Sequence, residues 1–138
     1  MKLKDFIETG LVRKASKDVS LAKSLINTAE NDLKFLKSLK IDNNSARKIM
    51  SNYYDILRSI LEAVSILNEY KIYSHEAFTY FLKEKGEYLI AEKFDRFRRI
   101  RNSINYYGKT ISIEEVKENS VEIVKLIEEL KRKYLKKE

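Results

Sequence analysis

The sequence predicts an all-α fold, an antiparallel up-and-down bundle of four main helices with one or two short extra helices. Three observations predict it. Apolar residues recur at intervals of three and four along four long segments, Pro is absent and Gly occurs only three times in 138 residues, and no segment shows the strict alternation of a strand. The loops left between the periodic segments are short, so long helices that follow one another should run antiparallel. A chain of this length makes a single domain, 1–138, and removes roughly two thirds of its unfolded surface from water, so it needs no disulfide or metal staple.

The first helix covers about Leu3 to Glu8, too short to stand alone, and its Phe6 is placed to pack against a longer partner. From Lys17 to Leu39, Val19, Ala22, Ile26, Ala29, Leu33 and Leu36 define one apolar face, with Lys, Glu and Asn between them. Asp42, Asn43 or Asn44 supplies the cap of the next helix, which runs to about Glu69 with Ile49, Tyr53, Ile56, Ile60, Val64 and Leu67 turned inward. Ser74 caps a short helix carrying Ala77, Phe78, Phe81 and Leu82, and Gly86 ends it. Tyr88 to Tyr107 resumes the helical pattern. Ser112 followed by Glu115 fits a capping box for the last helix, whose apolar residues run from Val116 to Tyr134. The basic run Lys131 to Lys137 sits near its C-terminus, where the helix dipole favours positive charge.

The chain lacks Cys, which removes thiolate ligands, thiol nucleophiles and redox roles. Interleaved charges at the N-terminus and the lack of any long apolar run argue against a signal peptide or a membrane span, and a cytoplasmic location is expected. Twenty-eight Lys and Arg face 21 Asp and Glu, a formal charge of +7, so the partners expected are anionic: nucleic acid or an acidic protein. Abundant Lys, Glu and Ile without Gln lean toward a heat-adapted source. No cofactor is expected, since Gly86 and Gly108 are isolated and no metal-ligand spacing occurs around the single His.

Residues Asp95 to Lys109 concentrate chemistry: four Arg within six residues, then two Asn and two Tyr. Helical projection puts Arg98, Arg101 and Asn105 in one polar arc with Asn102 on its edge, beside an apolar arc of Phe94, Phe97, Ile100, Ile104 and Tyr107. Arg101 lies nearest the apolar boundary, so its guanidinium is the one placed to be shielded and held for a phosphate or carboxylate. Arg96 and Arg99 read as ordinary solvent groups. The bland alternative is that the whole face serves solubility and salt bridges. In the Tyr53–Tyr54 and Tyr106–Tyr107 pairs, Tyr53 and Tyr107 fit the apolar registers, which leaves Tyr54 and Tyr106 as the freer rings for base stacking. His75 reads as a residue that caps or packs at a helix end, the alternative being a catalytic base brought next to Arg101.

The stretch Arg101, Asn102, Ser103, Ile104, Asn105, Tyr106 resembles the signature of the HEPN superfamily of small helical proteins. Tyr53 and Tyr54, Arg58, Glu62 and Ala63, and the Ser74–His75 helix opening support the resemblance over roughly Ser16 to Tyr134. It implies a homodimer. Many members carry Arg, four variable residues and His as a metal-independent ribonuclease site; here Tyr106 occupies the His position. A subgroup with Asp or Asn followed by Tyr is closer to Asn105 and Tyr106, and its members resemble partners of small nucleotidyltransferases in toxin–antitoxin-type pairs. The resemblance therefore implies an interaction protein of that kind. The alternatives are a ribonuclease in which Arg101 stabilises phosphate charge, Asn105 orients and Tyr106 donates a hydrogen bond, or a non-catalytic RNA-binding module using Arg98, Arg101, Asn102 and Tyr54. A metal has no part in any of these.

Overall fold

The computed structural model describes residues 1–135; Lys136 and Lys137 of the basic run lie outside the described residues. In chain order these form α1 (Leu3–Glu8), β1 (Val12–Lys14), α2 (Val19–Ser38), α3 (Ala46–Leu67), β2 (Tyr70–Ile72), α4 (His75–Glu84), α5 (Tyr88–Tyr107) and α6 (Ile113–Leu130), the last continued by a π-helical turn over Lys131–Leu135. Among the described residues the fold is mostly helical, with four long helices and two short ones, α1 and α4; it departs from the all-helical bundle expected in carrying a small two-stranded antiparallel sheet. No described helix is long and apolar enough to cross a membrane.

The sheet pairs Val12 with Ile72, Arg13 with Lys71 and Lys14 with Tyr70. Three-residue strands are too short to display alternation, and their partners lie about 60 residues apart in sequence, so local periodicity cannot announce them. Val12 and Ile72 turn into the core, and the left-handed backbone of Gly10 and Glu69 lets the chain bend into and out of the ladder. The pairing ties the N-terminal segment to the connection between α3 and α4.

Helix ends follow local chemistry. Asp18 accepts from the Leu21 amide at 2.9 Å, and Ser74 accepts from Ala77 at 3.4 Å. Ser112 and Glu115 form the expected reciprocal box at 3.1 and 3.2 Å. At α3 the acceptor is displaced by one turn: Asp42 takes the amides of Asn44 and Ser45, both at 2.9 Å, and the helix begins after Ser45. Gly108, left-handed at φ 64°, terminates α5.

Helix α3 is the centre of the molecule, in contact with α2, α5 and α6 and with β2. Its inward residues include the expected Ile49, Tyr53, Ile56, Ile60 and Val64, and also Met50, Tyr54, Leu57 and Leu61, all fully buried. A helix covered on several sides needs a wider apolar arc than a surface helix, so Tyr54, which the pairwise reading left free, is buried. At the other end of the same reading, Tyr107 is 77% exposed, because the last turn of α5 runs past the core.

Phe94 of α5 is fully buried, with its ring 5.5 Å from Tyr54 of α3 and 6.1 Å from Phe78 of α4. It therefore joins three helices at one point. Replacing Phe94 by Ala is expected to lower the unfolding free energy by about 3 to 5 kcal/mol in urea titrations, through lost burial and the cavity left behind; a change below about 1 kcal/mol would mean that this junction is not packed as described.

Candidate functional site

The Arg-rich segment of α5 divides sharply once its partners are known. Arg96 donates to Glu122 at 2.6 Å and to Asn119 at 3.0 Å. Arg98 donates through Nε and Nη2 to one oxygen of Asp95, at 3.0 and 2.8 Å, and Arg99 meets the other oxygen at 2.8 Å. Burial pushes the Asp95 carboxyl up, but the hydrogen bond and charge of Arg98, with the charge of Arg99, outweigh it and hold the group below the usual carboxylate range. Three of the four guanidiniums thus have close acceptors inside the fold. Arg99 stays largely in solvent, whereas Arg96, read as an ordinary solvent group, ties α5 to α6. For Arg98 it is a correction: the side chain placed in the anion-binding arc is held by Asp95, because an acid three residues earlier on the same face reaches it first.

Arg101 is different. Its side chain is only 17% exposed, yet its nearest acid, Asp55 of α3, is 3.8 Å from Nη2, and the Tyr106 hydroxyl is 3.5 Å from Nη1. Its Nε is buried and donates to no group among the described residues. The guanidinium lies instead over two aromatic rings, 5.7 Å from the centre of Tyr54 and 5.9 Å from that of Tyr106. Tyr54 is therefore the floor beneath the cation and is unavailable as a platform for bases. Its hydroxyl is engaged with Nδ1 of His75 at 2.9 Å, and burial pushes its pKa up against the pull of Arg101 and Arg58.

These groups line a cleft of about 570 Å³ where α2, α3, α4 and α5 meet. From α3 come Asn52, Asp55, Arg58 and Ser59; α4 contributes His75, α5 contributes Arg101, and α2 contributes a second acid, Asp32, with the exposed ring of Phe35 at the rim. Arg58 repeats the pattern of Arg101: among the described residues it has no ion pair, and its buried Nε also lacks an acceptor. The Asp55 carboxyl is raised by burial, with the charges of Arg101 and Arg58 opposing. Asp55 reaches Arg101 only at 3.8 Å and Asp32 is within ion-pair distance of neither arginine, so this half-shielded pair of cations keeps donor capacity for an external anion. Among the described residues no group of three His, Asp or Glu converges as metal ligands.

The remaining sequence candidates fall around the cleft rather than in it. Asn105 is exposed, and its Oδ1 accepts from Ser51 of α3 at 3.0 Å, which leaves its amide donors outward. Asn102 is half-buried and does not line the cleft. Tyr106 is 69% exposed and touches Arg101 only at the limit of a hydrogen bond. Residues that sequence reasoning gave no site role, above all Asp55 and Asn52, share a signal that was available: Asn52, Asp55 and Ser59 form a polar stripe at helical spacing through the most apolar stretch of the helix.

His75, read as a capping or packing residue, sits in this cleft beside the two arginines. Burial lowers its pKa, and the charges of Arg58, Arg101 and Arg98 lower it further, to about 4 from an ordinary 6.5. As the only histidine, its ring proton in NMR is expected to titrate with a midpoint near 4; a midpoint at or above about 6 would place the ring in ordinary solvent. Between the two values the unfolded chain binds the proton and the folded chain does not. Stability is therefore full above about 6.5, declines as the pH falls, and the loss is complete below the folded value.

Comparison of the chain with protein-family models, with curated proteins and with solved structures finds no match.

Proposed function

We propose that this chain is a HEPN-like helical module that uses the Arg58–Arg101 cleft to hold a phosphate of a single-stranded RNA, and that it binds the strand without cleaving it. The observation that carries this reading is Arg101 itself: a guanidinium largely removed from water, resting on Tyr54, with no carboxylate among the described residues closer than 3.8 Å while its three neighbours on α5 have theirs. A buried cation compensated only by aromatic faces and a distant carboxylate is unfavourable, and a phosphate oxygen offers the charge and the two-pronged geometry its fork matches. Phe35, 63% exposed at the rim, supplies a face on which an unpaired base can stack.

Cleavage has weaker support. A general base works best with a pKa near the operating pH. The residue five positions after Arg101 is a phenol, Tyr106, and the imidazole that does reach the cleft is pushed down to about 4. The second reading, a protein partner of small-nucleotidyltransferase type, is favoured by one feature: the rings of Tyr106 and Tyr107 are both exposed, that of Tyr106 against Arg101, and aromatic residues with an Arg make effective contact anchors.

The test is fluorescence anisotropy with a labelled single-stranded RNA in the presence of chelator, followed by gel analysis of the same RNA. Arg101→Ala is expected to weaken binding about tenfold or more, and Arg99→Ala by no more than about twofold, with the RNA left intact. Equal affinities for wild type and Arg101→Ala would remove the proposal. Chelator-resistant cleavage lost in Arg101→Ala would replace it by the ribonuclease reading. Co-purification of a nucleotidyltransferase, lost when Tyr106 and Tyr107 are changed to Ala, would favour the protein partner.

A further inference from the structure

The α4–α5 hairpin has a second feature at its opposite end. Where its turn meets α1 and the sheet there is a groove of about 560 Å³ that shares no residue with the Arg101 cleft. Lys2 and Lys4 enter it from the start of the chain, Lys14 from β1 and Lys83 from α4, against a single acid, Glu84. Among the described residues none of the four lysines has a carboxylate within 4 Å, whereas Lys93, Lys131 and Lys133 all do, at 3.8, 2.7 and 3.1 Å.

Tyrosine rings alternate with these cations. Tyr80 is held in place from the core side by Phe6, 5.2 Å away, and the Lys83 ammonium lies 5.0 Å from the centre of its ring. Tyr88, at the first turn of α5, is 63% exposed. Four like charges gathered around one carboxylate leave an excess of positive charge, a local potential that a polyanion relieves. An acidic polypeptide would meet that charge equally well; the open ring of Tyr88 beside the lysines is what favours a ligand with flat, unpaired faces.

We propose that this lysine–tyrosine groove is a binding site for single-stranded RNA, in which the lysines contact phosphates and Tyr88 stacks an unpaired base. Tyr88 and Arg101 are 13 residues apart on α5, which sets the groove roughly 20 Å along the helix from the cleft. The groove is inferred from its own charge and rings and does not depend on what Arg101 binds.

Anisotropy with the full chain and a labelled mixed-sequence RNA of about twelve nucleotides tests it, with salt varied from about 50 to 200 mM. The Lys4→Glu, Lys14→Glu double variant is expected to bind at least about tenfold more weakly and to reduce the slope of log affinity against log salt by about two. Tyr88→Ala is expected to weaken single-strand binding about fivefold or more and to leave duplex RNA of the same length unaffected, while Tyr88→Phe behaves as wild type. Circular dichroism and thermal melting of each variant report folding. If both the double variant and Tyr88→Ala, properly folded, bind within about twofold of wild type, the proposal is overturned, and a loss confined to Arg101→Ala would then assign RNA binding to the cleft alone. If polyglutamate displaces the RNA at equal charge concentration and Tyr88→Ala changes neither affinity, the groove is a site for an acidic protein and the proposal is likewise overturned.

Discussion

The constraint on which the molecule depends is that α3 must be removed from water on several sides at once. Its apolar residues occupy more than half of its circumference, and α2, α5, α6 and β2 are the surfaces that cover them. Burial of this kind is the main stabilising contribution in a domain of this size. It also dictates where polar groups can go. The stripe of Asn52, Asp55 and Ser59 with Arg58 beside it is the arc of α3 that is left uncovered, and the cleft is the space above it. The site is therefore a consequence of incomplete coverage of the central helix.

The electrostatics of α5 follow from the same arrangement. Four arginines on one short stretch repel one another, and acids from the same helix and from α6 relieve three of them: Asp95 for Arg98 and Arg99, Glu122 for Arg96. Arg101 projects toward α3, where the nearest described carboxylate stands too far for a hydrogen bond and the ring of Tyr54 lies beneath the guanidinium. Aromatic faces compensate a cation only partly compared with a close carboxylate. The local environment thus keeps a charged, oriented fork in a partly dry place, and the same low polarity, together with the positive charges, holds His75 neutral over the physiological range. A neutral imidazole joined to the Tyr54 hydroxyl helps to fix the ring that supports Arg101.

How much of this could be read beforehand depends on the range of the interaction. The Ser112–Glu115 box, the Ser74 cap and the periodic faces of α2, α5 and α6 are interactions between residues three or four apart, and the spacing of residue types declares them. The distinction between Arg101 and Arg99 was also legible, because position relative to the apolar arc is a property of one helix. The capture of Arg98 by Asp95 was equally local, and it was missed because the projection weighed Arg98 against the partners it could bind and not against the acid beside it. Tyr54 and Tyr107 exchanged roles because assigning one ring of each adjacent pair to the core assumes a helix buried along a single stripe, which fails for α3 and also for the end of α5.

By itself, then, the sequence determined a largely helical chain, the bounds of its helices to within a turn, and a cationic segment in which one arginine stood apart. Tertiary structure alone decided the pairing of β1 with β2, the meeting of Asp55 with Arg101 across 46 residues, the arrival of His75 in the same cleft, and the gathering of Lys4, Lys14, Lys83 and Tyr88 into one groove. The physical reason is that helical periodicity is written over a few residues, whereas each of those meetings depends on how whole helices are stacked around α3, and no spacing within a single segment encodes it.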